Sequence, residues 1–175
     1  YRPRSVLGVL LDAGRWIHVV CKARTSAPDP AIYGRHKRRM MSMLRQAMHR
    51  EQVFTARFGK AYDPGRVVLY SYWTSDWATV LGLWKLKDAR VRFVSRMMGF
   101  DMYDHRAPDS WQIFQSFHVE QVDRVYVIAK AGLEHMEQRY PGASRKFSLS
   151  HLATNDHGPG PWLPGGVLRI VSCSN

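Results

Sequence analysis

The chain has 175 residues and is 45% hydrophobic and 12% aromatic, which excludes a wholly disordered tail or a collagen-like fibre. It holds 26 Lys and Arg against 14 Asp and Glu, a formal charge of +12, and such a balance points to a polyanionic partner. The excess is local: residues 1–60 carry 13 basic and 3 acidic side chains, while residues 61–120 carry 7 of each.

In chain order, residues 5–11 (SVLGVLL) and 16–21 (WIHVVC) are apolar runs around Asp12-Ala13-Gly14, and the pattern predicts a β-hairpin. Residues 22–30 form a polar, proline-bearing connection, followed by the basic cluster IYGRHKRR over 32–39. Over 40–52, Met40, Met41, Leu44, Ala47 and Met48 recur at helical spacing, which predicts an amphipathic helix with its methionines in a core. Residues 53–57 read as a strand, 63–65 as a turn and 67–73 (VVLYSYW) as a strand. Ser75 is positioned to cap a helix from Asp76, and 89–95 alternates like a strand, with a continuing helix as the alternative.

Beyond Gly99 the pattern predicts a polar loop over 101–109, strands over 111–119 and 122–130, and a short helix over 133–140 stopped by Pro141-Gly142. Residues 157–166 are too rich in Gly and Pro for regular structure, and 167–171 reads as a last strand. The stretch 67–84 comes nearest to a membrane span, but Asp76 and several hydroxyls interrupt it, so no membrane partner is expected. Cys21 and Cys173 lack zinc or disulfide spacing, which points to a reducing compartment.

Four blocks in order carry a resemblance: VLGVLL with IHVVCKAR, then PAIYGRHKRR, then VFTARFGKAYDPGRVVLY, then DARVRFVS. Over residues 5–98 the chain resembles the small-ribosomal-subunit protein seventeen family of bacteria and mitochondria. That resemblance implies a mainly β fold: a five-stranded OB-fold barrel over 1–98 with a helical insertion at about 40–52, and a mixed α/β C-terminal extension over 99–175. Three departures stand out: the insertion between Arg39 and Val53, a first hairpin turn whose only cation is Arg15, and residues 99–175, which lack a bacterial counterpart.

The implied function is a structural constituent of a small ribosomal subunit, mitochondrial or, as the alternative, plastid, with the missing initial Met fitting a cleaved import leader. The implied partners are small-subunit ribosomal RNA and, through 99–175, neighbouring ribosomal proteins, with Trp111, Phe114 and Trp162 as exposed packing residues. Arg35, Lys37, Arg38 and Arg39 supply phosphate contacts, Gly34 close backbone approach, and Tyr33 a ring for stacking, with His36 among them. Lys22, Arg24, Arg57 and Lys60 flank that cluster on a closed barrel, and Arg15 of the first hairpin turn completes the RNA-binding set. The rival readings are a basic accessory subunit of an organellar respiratory or ATP-synthase complex and a free OB-fold RNA-processing factor.

Asp101, Asp104, His105 and Asp109 are the one acidic-plus-His cluster, read as a polar surface loop; His151 and His157 fail metal spacing. With no phosphate-loop or dinucleotide motif, neither an enzyme nor a cofactor is expected.

Overall fold

A computed structural model of the protein describes residues 6–152. Helix α1 spans Val6–Ser26 and α2 spans Pro30–Phe58. The start of α2 follows from two adjacent residues. Asp29 is the N-cap, its carboxylate accepting the Ile32 N–H at 2.8 Å, and Pro30 occupies the first turn, where a missing N–H costs nothing.

Four short strands follow: β1 (Leu69–Ser71), β2 (Phe93–Met97), β3 (Arg124–Val127) and β4 (Phe147–Leu149). They form one sheet in the order β1-β2-β3-β4, and every pair is parallel. A parallel neighbour requires a crossover, and helices supply each one. Helix α3 (Asp76–Lys87) joins β1 to β2, α4 (Gly99–Met102) and α5 (Gln115–Gln121) join β2 to β3, and α6 (Lys130–Arg139) joins β3 to β4.

Three layers result. Phe93, Met97, Val125, Val127 and Phe147 of the sheet pack with Ala78, Leu81, Val119 and Met136 of the crossover helices. On the far side of α3 and α5, Val80, Leu83 and Phe117 pack with Val19 and Ala23 of α1 and Met40, Leu44, Ala47 and Met48 of α2. The opposite face of the sheet is uncovered among the described residues: Tyr70 and Arg124 are exposed, and Val94, Arg96, Tyr126 and Ser148 are half-buried. All-parallel sheets are ordinarily covered on both faces.

This is an α/β fold, and it overturns the expected five-stranded OB-fold barrel. The runs 5–11 and 16–21, read as a hairpin, lie in α1, and the run 53–57 lies in α2. Short apolar runs are ambiguous between strand and buried helix, and here tertiary packing decides. Among the described side chains of α1, Arg15, Val19 and Ala23 are buried, a four-residue spacing that belongs to a helix. The amphipathic helix expected over 40–52 exists as the middle of α2, with Met40, Leu44, Ala47 and Met48 buried.

Residues 111–119, read as a strand, enter α5 instead, and Trp111 and Phe114 are buried core residues rather than exposed packing residues. The strand expected over 89–95 lies at Phe93–Met97, and β4 had no sequence-based counterpart. The sheet also runs across residue 98, since β3 of the supposed extension pairs with β2. Trp162, His157 and the stretches 157–166 and 167–171 lie outside the described residues.

Helix contacts make two glycines opposite in character. A Cβ on Gly82 of α3 would stand 2.9 Å from Phe117 Cε1, and Phe117 is fully buried and has no room to yield. Gly14 on α1 faces open space. Gly82→Ala is therefore expected to lower stability by about 1–3 kcal/mol through overpacking, and Gly14→Ala to raise it by about 0.5–1 kcal/mol. Urea unfolding of both variants checks this, and an unchanged midpoint for Gly82→Ala would contradict the α3–α5 packing.

Candidate ligand cleft at the carboxyl edge of the sheet

In parallel α/β sheets the strands deliver loops and helix N-termini to their carboxyl edge, where ligands collect. Here the edge beyond β1 and β2 holds a cleft of about 230 Å³. Its inner wall is the β1–α3 loop, Thr74 to Asp76, and the start of α4; α5 forms the floor, and α2 with residues 106–114 forms the outer wall.

Buried hydrogen bonds fix the inner wall. Asp101, 4% exposed, accepts the Thr74 N–H at 2.8 Å and the Met98 N–H at 2.6 Å, which ties the two loops together. Thr74 Oγ1 lies 2.8 Å from Ser95 Oγ and donates to the Arg96 carbonyl at 3.0 Å. Gln115 donates to the carbonyls of Asp101 (3.0 Å) and Met102 (2.8 Å) and accepts from the Tyr140 hydroxyl at 2.9 Å. Burial pushes the Asp101 carboxyl up to about 6, against the pull of the Met98 and Thr74 N–H groups.

On the floor, His118 is 4% exposed, with Nε2 2.7 Å from Thr79 Oγ1. Its Nδ1 has no hydrogen-bond partner, the Thr74 backbone being the group that most nearly serves it. Burial pulls this imidazole down to about 3, so it is neutral near pH 7. The indole Nε1 of Trp111, another lining residue, is likewise buried without a partner. Buried polar atoms are paired in nearly every native interior, and two of the seven unpaired ones among the described residues lie in this lining.

The charged groups sit at the rim. Arg39 and Arg106 line the cleft, and among the described residues no carboxylate engages either one. The N-terminus of α3 opens here without a side-chain cap, because Ser75 makes no capping hydrogen bond. Its first-turn N–H groups and the helix dipole favour an anion. Asp76, the opposing charge, is exposed and drawn aside toward Arg50 at 3.5 Å.

Between the outer-wall residues Pro108 and Trp111, Asp109 and Ser110 adopt φ of 51° and 50°, a left-handed conformation uncommon for residues other than glycine. Asp109 bonds to His36 Nε2 at 2.7 Å and Arg35 Nε at 3.3 Å, which pins the loop to α2. Those two partners hold the Asp109 carboxyl below its ordinary range.

The residues expected to bind RNA are distributed differently from a single barrel face. Arg15 is buried, donating to Glu51 Oε2 at 3.2 Å and the Leu83 carbonyl at 2.9 Å and pairing with Asp12, so it is not offered to a partner. Lys22 reaches Glu120 at 3.3 Å, and Arg24 is exposed at the end of α1. Tyr33 is half-buried, its ring 6.3 Å from that of Trp111, and Gly34 lies exposed inside α2. Arg35 and His36 are the Asp109 partners, while Lys37, Arg38 and Arg39 project from α2 into solvent. Arg57 stacks over Phe58 at 5.5 Å, and it and Lys60 stand about 30 Å along α2 from Lys37.

The Asp101, Asp104, His105, Asp109 grouping disperses. Asp104 pairs with Arg139, His105 stacks on Tyr103, and Asp101 and Asp109 serve the two walls just described. Among the described residues no group of three or more His, Cys, Asp or Glu is placed to hold a metal ion. Sequence reasoning missed Thr74, Ser75, Arg106, Gln115 and His118. The available signal was Thr74-Ser75-Asp76 between the strand read over 67–73 and the helix read from Asp76, the setting of an anion-binding loop.

The two buried titrating groups act in opposite senses on stability. Asp101, raised in the fold from 3.8, contributes most when protonated, and that contribution is lost as pH rises through about 6. His118, depressed from 6.5, contributes stability that is present above 6.5 and lost as pH falls toward 3. Between pH 6 and 4, Asp101→Asn is therefore expected to steepen the loss of stability on acidification and His118→Gln to flatten it. Urea midpoints across that range test the signs, and wild-type slopes in both variants would contradict them.

No protein-family model, curated protein or solved structure matches this chain.

Proposed function

We propose that the protein binds a small phosphorylated ligand in the carboxyl-edge cleft. The carrying observation is the convergence of the uncapped α3 N-terminus with Arg39 and Arg106 over a floor holding the unpartnered His118 Nδ1. A phosphate oxygen accepts from the first-turn N–H groups, the guanidinium forks grip it bidentately, and neutral His118 adds one orienting hydrogen bond. Ser75 brings a hydroxyl to the inner wall for the polar body of the ligand, while the Thr74 and Thr79 hydroxyls are engaged by Ser95 and His118.

Titration calorimetry with inorganic phosphate, pyrophosphate and glycerol phosphate tests this. The double variant Arg39→Ala, Arg106→Ala is expected to weaken binding by at least about tenfold, since charge-assisted hydrogen bonds contribute about 1.5–3 kcal/mol each. Both side chains are at the rim and unpaired, so the melting temperature should hardly move. Absence of binding by all three phosphates would reject the proposal.

A second reading rests on a separate observation. Helix α2 carries seven Lys and Arg and one acid, and that acid, Glu51, is fully buried against Arg15. The solvent side of α2 is therefore a cationic ridge about 43 Å long. Such a ridge suits a polyanion, and ribosomal RNA in a mitochondrial small subunit is the specific form the sequence resemblance suggests, without the barrel that family uses. Changing Lys37, Arg38 and Arg45 together to Ala should lower the slope of log affinity for RNA against log salt by about 2–3. A slope equal to that of the wild type would leave the ridge without this role.

A further inference from the structure

Immediately beyond the β1–α3 loop, on the other side of Ser75 from the cleft, lies a groove of about 440 Å³ lined by Phe54, Tyr70, Tyr72, Trp73, Trp77 and Leu81. Tyr70, Tyr72, Trp73 and Trp77 are each about half exposed. Four large aromatic side chains standing open in one place form the kind of apolar patch that marks a binding surface. Their rings brace one another: Tyr72 meets Trp73 at 5.4 Å, and Trp77 meets Phe54 at 5.7 Å, both edge to face.

The groove and the cleft adjoin. Ser75 lines both, and Trp73 in the groove packs edge-on against Phe100 at the cleft rim, with ring centroids 5.7 Å apart. A ligand anchored by a phosphate at the α3 N-terminus therefore has its remaining atoms within reach of the aromatic wall.

The chemistry of the groove selects what lies there. A nucleobase needs hydrogen-bond donors and acceptors on its edge, and the groove has few to give. Ser71 Oγ donates to the Trp73 carbonyl at 2.5 Å, which leaves Ser75, the tyrosine hydroxyls and the outer backbone edge of β1. An aliphatic chain needs only displaced water and contact with apolar surface, which the Trp and Tyr faces supply.

Resting on the phosphate reading of the cleft, we infer that the ligand is amphiphilic: a single-chain lipid phosphate whose head occupies the cleft and whose chain lies along the Trp73–Trp77 groove. Each methylene of the chain adds burial, which sets the expected gain at about two- to fourfold in affinity per carbon until the groove is filled.

Calorimetry on the full chain with methyl, hexyl and decyl phosphate, kept below micelle formation, reads the effect directly. Decyl phosphate should bind at least thirtyfold tighter than methyl phosphate. The double variant Trp73→Ala, Trp77→Ala should abolish that advantage and leave methyl phosphate unchanged, while Arg39→Ala, Arg106→Ala should weaken all three by a common factor. Near-UV circular dichroism verifies the fold of each variant, and Tyr72→Ser, at a more peripheral ring, gives a partial loss if the double variant fails to fold.

Equal affinity for the three phosphates overturns the amphiphile inference and leaves the cleft reading standing. Failure of all three to bind rejects the cleft reading itself. Equal binding of decanol and decyl phosphate shows a groove that works without the cleft, and binding to phosphatidic acid vesicles without binding to the monomeric phosphates shows a bilayer surface; both overturn the inference. So does a wild-type dimer that the Trp73, Trp77 variant dissociates with no change in ligand affinity, because the groove is then a contact between two copies.

Discussion

Helix α3 is buried on both of its faces: Ala78, Leu81 and Trp84 meet the sheet side, and Val80 and Leu83 meet the helices α1, α2 and α5. A helix enclosed in this way needs apolar residues all round and shows no amphipathic stripe. The same composition makes residues 67–84 the nearest approach to a membrane span in the sequence, and among the described residues no helix is long and apolar enough to cross one. Enclosure also fixes the axis of α3, and with it the position and direction of the N-terminus that opens the cleft. Gly82 permits the close approach of Phe117, so α5 and its His118 are set by the same packing.

Around α3 the outer layer is held by a buried charge cluster. Arg15 of α1 bonds to Glu51 of α2 and to the Leu83 carbonyl of α3, so one guanidinium links three helices. Removing one member of a buried pair costs about 3–5 kcal/mol, whereas the intact pair adds little over apolar packing. The pair therefore acts mainly on the relative placement of the helices. It also explains why a cation in the basic third of the chain is absent from its surface, and why the acid that would have neutralised the α2 ridge lies inside.

Parts of this architecture are legible in the residues. The strand around Leu69–Ser71, the apolar face of α2 and the helix stopped before Pro141 follow local pattern, because their burial alternates at the period of their own element, and the helix from Asp76 is marked by Ser75 at its N-cap position. The hairpin read into residues 5–21 fails for a physical reason. Val, Ile and Trp favour strands only weakly, and Asp12-Ala13-Gly14 is as acceptable on the exposed side of a helix as in a turn. Once that hairpin was supposed, a barrel was its natural completion. The contrary signal was short: Asp29-Pro30 is an N-cap followed by a first-turn proline, and it places a helix start ten residues before the one inferred from the methionines. The cleft was less legible, since Arg39, Thr74, Asp101, Arg106 and His118 come from five separate segments that only the parallel crossovers bring together.

The left-handed turn at Asp109 links surfaces that are otherwise separate. Its carboxylate holds Arg35, on the exposed side of α2, and His36, which lines the cleft beside Pro108 and Trp111. On the two readings proposed above, a polyanion on the ridge would compete with Asp109 for Arg35, and releasing Asp109 would remove what holds it at positive φ. Occupancy of the ridge and occupancy of the cleft would then oppose one another, and by reciprocity a ligand that ordered the cleft wall would weaken the ridge for its partner by the same factor. One carboxylate ties the solvent face of α2 to the loop beside the cleft.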